Sequence, residues 1–382
     1  MKGNITRRGE RSRRLKFDLG RAPGSGKRLF RLVTVHGTKR EAEAELVRQL
    51  AALDGGTDVE PSKSTIESYL RTWIDTAEAV ALSPKTSERY RQFIEQQIIP
   101  HLASLPLQKL RPAHVATWHG VLLKGGGREG RALAARTVGH AHRVLHKALE
   151  DACRRELIAR NPASIIPPPK VAAEEMATLS AEQVKPVLAA MKDSSIYPQG
   201  VRLLSTGIRR GELCGLQWGD LDLDAGKLRV ERSIEKTKAG LRVKSPKTRH
   251  GRRLITLPAS AAAVLREHRR KQLELRVALG AGRLPDDAFV FGTVEGKPRD
   301  PDRITQDWKR FAAARNLPRV TLHGLRHASA SALIAAGADV ITVSRRLGHA
   351  NANTTLAVYA HLFGRSDEAA VEAMDAAMGL EK

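Results

Sequence analysis

Residues 321–361, TLHGLRHASASALIAAGADVITVSRRLGHANANTTLAVYAH, constrain this chain more than any other stretch. Their apolar residues fall into short helical bursts, and glycine closes the first two. His323 and Arg326 lie three apart, so on a helix they share one face. That helix runs on through Leu333 and Ile334 until Gly337 and Ala338 stop it. A second, shorter helix carries Ile341, Val343 and Leu347, and Gly348 ends it just before His349. Thr354 and Thr355 then precede a last apolar turn that holds Tyr359. A phenol that is to attack a phosphate must lose its proton, ordinarily held up to pH ~10, while the phosphate's charge is neutralised. Imidazole and guanidinium groups suit those two tasks.

A tyrosine near a helix end is ordinarily a packed or surface residue, so the weight rests on two further stretches. Residues 205–223, STGIRRGELCGLQWGDLDL, set Thr206, Gly207, Ile208, Arg209 and Glu212 in an amphipathic turn backed by Leu213, Leu216 and Trp218. Residues 244–248, KSPKT, lie in a strand–turn–strand pattern that continues into RLITL at 253–257.

Taken together, TGIRRGEL, SPKT ahead of RRLITLP, HGLRH, LGH and the following tyrosine resemble the tyrosine recombinases, also called phage integrases. The resemblance covers the C-terminal half closely and implies a role for each matching residue. Arg209 and Arg326 would clamp a phosphate. Tyr359 would attack it, leaving a 3′-phosphotyrosyl link. Lys247 would protonate the departing 5′ oxygen, His323 would handle the tyrosine proton, and His349 would donate to a phosphate oxygen. Because the phosphotyrosine keeps the bond energy, neither cofactor nor metal is expected. Glu212 is read as orienting Arg209 or nearby backbone, and Arg210 as a surface residue. His327 and His361 are read as bystanders, His327 pointing elsewhere on the helix than His323.

Composition agrees with an acidic partner. Lys and Arg number 65 against 41 Asp and Glu, a formal net charge of +24. Such an excess points to nucleic acid, here double-stranded DNA at attachment sites. No run of about 18 apolar residues offers a membrane span, and the basic N-terminus lacks the apolar segment of a secretion signal. A cytoplasmic protein is expected. Cys153 and Cys214 fall on apolar helical stretches and are read as buried free thiols.

The expected fold is mainly α with small β-sheets (α+β), in three domains. Residues 1–58 begin with a basic tract and read as two or three short strands, at 14–19 and 29–35, followed by a helix from Thr38, whose Glu41 completes a capping box. The unit resembles an arm-type DNA-binding domain. Residues 62–160 read as helices, starting at Ser64, at Pro84 and at Pro112, with a long one over 134–156. They resemble the helical, SAM-like core-binding domain. The polar side of that long helix carries Arg136, His140, Arg143, Lys147, Arg154 and Arg155, suited to a DNA backbone. The proline-rich stretch 161–174 reads as a stiff linker. Residues 175–382 read as the catalytic domain, Ser180 capping its first helix, with a short sheet from 228–233, 242–244 and 253–257. A tail helix over 366–382 would pack at home or, as the resemblance suggests, in a neighbouring protomer.

The function expected is a site-specific recombinase that integrates or excises a mobile element, working as a tetramer on DNA. The resemblance adds a host DNA-bending factor and a directionality factor as partners. A resolvase or invertase using the same chemistry is one alternative. The other is a non-catalytic architectural DNA-binding protein, against which all six family positions carry family residues.

Overall fold

The computed structural model describes residues 3–21, 26–54, 59–80, 82–172, 179, 181–246, 249–318 and 320–363, together with 371, 374, 375 and 378. The chain divides into two units, 1–172 and 173–382, the division falling within the proline-rich stretch. Among the described residues, no helix is long and apolar enough to cross a membrane.

The first unit opens with an antiparallel sheet of β1 (Gly3–Gly9), β2 (Ser12–Arg21) and β3 (Arg28–His36), in that order. Leu15 lies opposite Ile5 on one side and Val33 on the other, so the three share a face. Helix α1 (Lys39–Asp54) covers this face with Ala42, Leu46 and Leu50. The capping box forms as expected. Thr38 donates its N–H to Glu41 at 2.6 Å, and the Glu41 N–H returns a bond to Thr38 Oγ1 at 3.3 Å. β1 arises from the basic tract, and the sheet has three strands where two or three were expected. The opposite face of the sheet carries Asn4, Thr6, Lys16, Phe30, Leu32 and Thr34, all exposed, with the half-buried Arg14.

Five helices follow: α2 (Ile66–Val80), α3 (Pro84–Phe93), α4 (Ile99–Leu102), α5 (Pro112–Gly125) and α6 (Ala135–Arg154). Prolines open α3 and α5, where the missing N–H costs nothing. The start of α2 is capped by Thr65, whose Oγ1 accepts from Ser68 N–H, one residue beyond the expected Ser64. Trp73, Trp118, Leu70, Leu122 and Leu145 fill the core. The two indole N–H groups are satisfied by Asp151 at 2.8 Å and the Gln97 carbonyl at 2.7 Å. Two buried histidines, His119 and His142, meet at 3.2 Å behind them. Arg136, His140, Arg143, Lys147 and Arg154 line the exposed side of α6.

The second unit begins with α7 (Ala181–Met191), α8 (Tyr197–Thr206) and α9 (Arg210–Gly215); Ser180, the expected cap, lies outside the described residues. Among the described residues there are two sheets instead of one. β4 (Leu221–Asp222), β5 (Lys227–Val230) and β8 (Arg253–Thr256) form one, while β6 (Ser233–Thr237) and β7 (Gly240–Lys244) pair as a separate hairpin. The run read as one strand over 228–233 breaks at Glu231 and Arg232. Beyond the break, β6 packs on α9 so closely that a Cβ on Gly211 would meet the Ile234 carbonyl at 2.8 Å.

Helices α10 (Ala259–Ala278), α11 (Pro301–Ala314), α12 (Leu322–Ala335), α13 (Val340–Leu347) and α14 (Ala352–Tyr359) complete the unit. Its main core gathers Leu213, Trp218, Val290, Trp308 and Leu325. Ala330, Ile334, Val343, Leu347 and Tyr359 form a smaller cluster of their own. The expected tail helix falls mostly on residues outside those described.

Candidate active site

Two glycine turns build the site. Helix α8 stops because Gly207 adopts left-handed backbone at φ 63°, where a Cβ would also lie 2.6 Å from Leu347 Cδ2. The turn delivers Arg209 to the start of α9. There Glu212 accepts from the Arg209 backbone N–H at 2.9 Å and from its Nη1 at 2.8 Å. Helix α13 stops in the same way at Gly348, φ 69°, whose Cβ would lie 2.7 Å from Arg253 Nη1. The Gly348 carbonyl accepts from Arg209 Nη2 at 2.8 Å.

Arg326, on α12 and 3% exposed, donates to the carbonyls of Gly207 and, at 2.8 Å, Leu347. Each of the two arginines expected to clamp a phosphate is thus held by a glycine turn that lies far from it in sequence. Burial first, then the neighbouring Arg209, lowers the Arg326 pKa to about 9, which leaves it a cation at neutral pH. The Arg209 side chain keeps 42% of its surface exposed. Among the described residues, nothing takes the Nε of either guanidinium.

Arg326 Nη2 also donates to His349 Nε2 at 3.1 Å. A guanidinium can only donate, so Nε2 is bare and the proton sits on Nδ1, bonded to Thr355 Oγ1 at 2.8 Å. Burial and then Arg326 pull this imidazole down to about 4, in keeping with the neutral form. Both nitrogens are therefore engaged within the chain, and the expected donation to a phosphate requires Nε2 to leave Arg326 and gain a proton.

Tyr359 ends α14 with 2% of its surface exposed. Its hydroxyl is hydrogen-bonded to His327 Nδ1. Burial raises the phenol to about 12, against the pull of Arg326. The expectation that His327 points away from His323 is corrected here. Positions 323 and 327 are four apart on α12 and share a face, their rings meeting edge-on at 4.6 Å. His323 is exposed and makes no hydrogen bond to the phenol. The packing behind its ring, followed by Arg326 and Arg209, lowers its pKa.

The structure therefore brings Arg209, His323, Arg326, His349 and Tyr359 into one unit around the two turns. Lys247 lies outside the described residues. Glu212 orients Arg209 as expected, and Arg210 is tied to Asp302 at 3.1 Å and Thr305 at 2.6 Å. Two participants escape the sequence reading. Arg253 backs Glu212 from β8 at 2.9 Å, and its Nε holds the Arg346 carbonyl at 2.7 Å. His327 is the second, and the four-residue spacing was its signal. Among the described residues, no group of three metal-binding side chains gathers.

Two family models match: the phage integrase family over residues 177–365, and the phage integrase N-terminal SAM-like domain over 65–123. A XerC-like tyrosine recombinase of Caldanaerobacter subterraneus is 26% identical over 98% of both chains. The integrase of Mycobacterium phage L5 is 29% identical over 92% of both. Among solved structures, the Tn1549 transposon integrase in complex with a circular intermediate DNA has TM-score 0.67 at 22% identity, covering 81% of this chain and 98% of that one. A lambda integrase dimer bound to a core site has TM-score 0.57 at 19% identity, with 95% and 96% covered. The chain belongs to the phage integrase family of tyrosine recombinases, enzymes that cleave and rejoin DNA strands.

Proposed function

We propose that this enzyme integrates and excises a mobile element by site-specific recombination, with Tyr359 as nucleophile. The observation that supports this most is the cross-pinning of Arg209 and Arg326, two cations whose Nε groups nothing described occupies, in the same constellation as a tyrosine hydroxyl. A phosphodiester undergoing in-line displacement gathers charge on its non-bridging oxygens, and paired guanidiniums are suited to hold them. Tyr359 forms the 3′-phosphotyrosyl ester and releases a 5′ hydroxyl. Lys247, between β7 and β8 in sequence, supplies the proton to that leaving oxygen. His349 gives up its Arg326 bond, takes a proton on Nε2 and donates it to a phosphate oxygen. The ester conserves the bond energy, so rejoining is the same step reversed.

Double-stranded DNA is the substrate. The exposed stripe on α6 lies along its backbone, and the open face of the N-terminal sheet reads arm-type sites with Arg14, Lys16 and Thr34. That sheet favours an integrase over a resolvase or invertase. The enzyme acts as a tetramer, an assembly that lambda integrase forms on a Holliday junction. A host bending factor and a directionality factor complete the system.

Supercoiled plasmid incubated with the protein in EDTA, beside Tyr359→Phe, tests the proposal. An SDS-resistant protein–DNA adduct that vanishes in the variant is expected. An adduct that survives in Tyr359→Phe means another nucleophile.

A further inference from the structure

We infer that His327, rather than His323, is the base that takes the proton from Tyr359 during strand cleavage. The inference rests on Tyr359 being the nucleophile, as proposed above, and assigns the proton's destination within that reading. Three observations carry it.

The first is contact. His327 Nδ1 bonds the phenol oxygen, the atom that reacts, and this is the only hydrogen bond of that hydroxyl among the described residues. His323 makes none with it.

The second is the count of unpaired groups. His327 Nε2 is buried without a partner. If the phenol donates to Nδ1, Nε2–H is the single unpaired group. If Nδ1–H donated instead, the phenolic proton would be stranded as well, inside a site where the tyrosine is 2% exposed. Leaving a buried polar group unmet costs free energy, so the arrangement with one such group wins. Nδ1 is therefore a bare acceptor already aligned on the O–H.

The third is surroundings. The titratable and charged groups facing His327 are His323 and Arg326 from its own helix, Tyr359 from α14 and His349 from the turn after α13. Among the described residues no carboxylate acts on it, and burial, followed by His323 and Arg326, lowers its pKa to about 4. In the resting chain it is a neutral acceptor and Tyr359 a neutral donor, a pair that stays put until phosphorus is presented. As the phenol oxygen bonds to phosphorus, its affinity for the proton collapses and transfer to Nδ1 becomes downhill. The bond from phosphorus to the 5′ oxygen breaks, and that oxygen takes its proton from the general acid of the site. The products are the 3′-phosphotyrosyl ester, a 5′ hydroxyl and a His327 imidazolium. Rejoining returns the proton from Nδ1 to the tyrosine oxygen.

The test compares wild type, His327→Leu, His327→Asn and His323→Leu for SDS-resistant adduct formation on supercoiled plasmid in EDTA between pH 6.5 and 9. Loss of a general base costs about 10²–10⁴-fold, and His327→Leu should lose that much at pH 7. Without a base its rate must follow the phenolate, rising about tenfold per pH unit, whereas wild type stays nearly flat. A fluorinated tyrosine at position 359, whose phenol is more acidic, should restore His327→Leu far more than it helps wild type. His327→Asn sets an amide oxygen where Nδ1 stood and should recover part of the rate. His327→Leu cleaving as fast as wild type, with the same pH profile, overturns the inference, as does His323→Leu carrying the steep slope instead.

A second measurement needs no cleavage. The ¹³Cζ signal of Tyr359 in the full chain, identified by its loss in Tyr359→Phe, should shift in His327→Asn; an unmoved signal means the hydrogen bond is absent and the inference falls. An adduct persisting in Tyr359→Phe would fail the proposed function, whereas a fast His327→Leu beside an inactive Tyr359→Phe fails only this assignment.

Discussion

Glu212 accepts a hydrogen bond from Arg253 Nη2 at 2.9 Å, and both side chains are under a tenth exposed. The same carboxylate carries the backbone and the guanidinium of Arg209. One buried anion therefore positions Arg209, the proposed clamp residue, and neutralises the arginine behind it. Burial alone would raise the Glu212 pKa. The Arg253 charge and hydrogen bond, then the Arg209 N–H, overcome that and hold it below its ordinary value.

Glu212→Gln keeps the shape and removes the charge, leaving Arg253 buried without a counter-ion. A loss of about 3 kcal/mol is expected, read by denaturant unfolding at pH 7. The sign of the pH effect follows from the lowered pKa. The stabilisation is complete above the unfolded value of 4.5 and disappears as pH falls through the folded one. The gap between wild type and Glu212→Gln should narrow on acidification below that value. A gap that widens would contradict the ion pair.

Gly348→Ala places a Cβ against Arg253 in a left-handed turn. Strain of about 1–3 kcal/mol is expected, together with displacement of Arg209 and His349. Adduct formation should fall by more than tenfold, since 1.36 kcal/mol of lost transition-state binding is tenfold in rate. Gly337→Ala, also at positive φ (83°) but with open space around it, should lose stability and keep its rate. Equal rates for the two alanine variants would refute the positioning role of Gly348.

Arg326→Lys retains a charge but loses the fork that reaches Gly207, Leu347 and His349 at once. Cleavage should drop by about two orders of magnitude or more, because these bonds fix the group that meets developing charge. Binding to duplex DNA, measured by gel shift at fixed salt, should hold within a few-fold. Unchanged cleavage would remove Arg326 from the clamp.

The pair of His119 and His142 predicts a pH effect in the first unit. Burial, then His119, lowers His142 from 6.5 to about 4. The unfolded chain thus binds a proton that the folded chain refuses, and stability must fall as pH drops from 6.5 towards 4. The shift corresponds to roughly 3 kcal/mol. His142→Leu should flatten that part of the stability curve, measured by thermal unfolding at pH 5 and 7.5. An unchanged slope would locate the acid sensitivity elsewhere.

Much of the site was legible because its signals are local. Gly348 announces a helix end, His323 and Arg326 share a helical face by spacing, and proline marks the starts of α3 and α5. Arg253 was not legible, because its partner Glu212 lies 41 positions away and meets it only once β8 packs beside α9. The split of the sheet was hidden for a similar reason. The run over 228–233 reads as one strand, and only packing against α9 carries its end into a separate hairpin. The burial of Tyr359 depends on how α13 and α14 fold back on α12, which no spacing within α14 records.

Tyr359 belongs to the small cluster of Ala330, Ile334, Val343 and Leu347, apart from the main core of its unit. Freeing it requires opening that cluster and releasing His327, with a burial cost on the order of 2–3 kcal/mol for its ring. The reactive segment is therefore a low-stability cooperative unit riding on a sturdier one. Amide protons of α14 will exchange with solvent well ahead of those of α8, at a rate set by sub-global opening rather than by unfolding of the whole unit. The availability of the proposed nucleophile becomes an adjustable local equilibrium, coupled to Arg326 and His349 because Leu347 and Thr355 hold them.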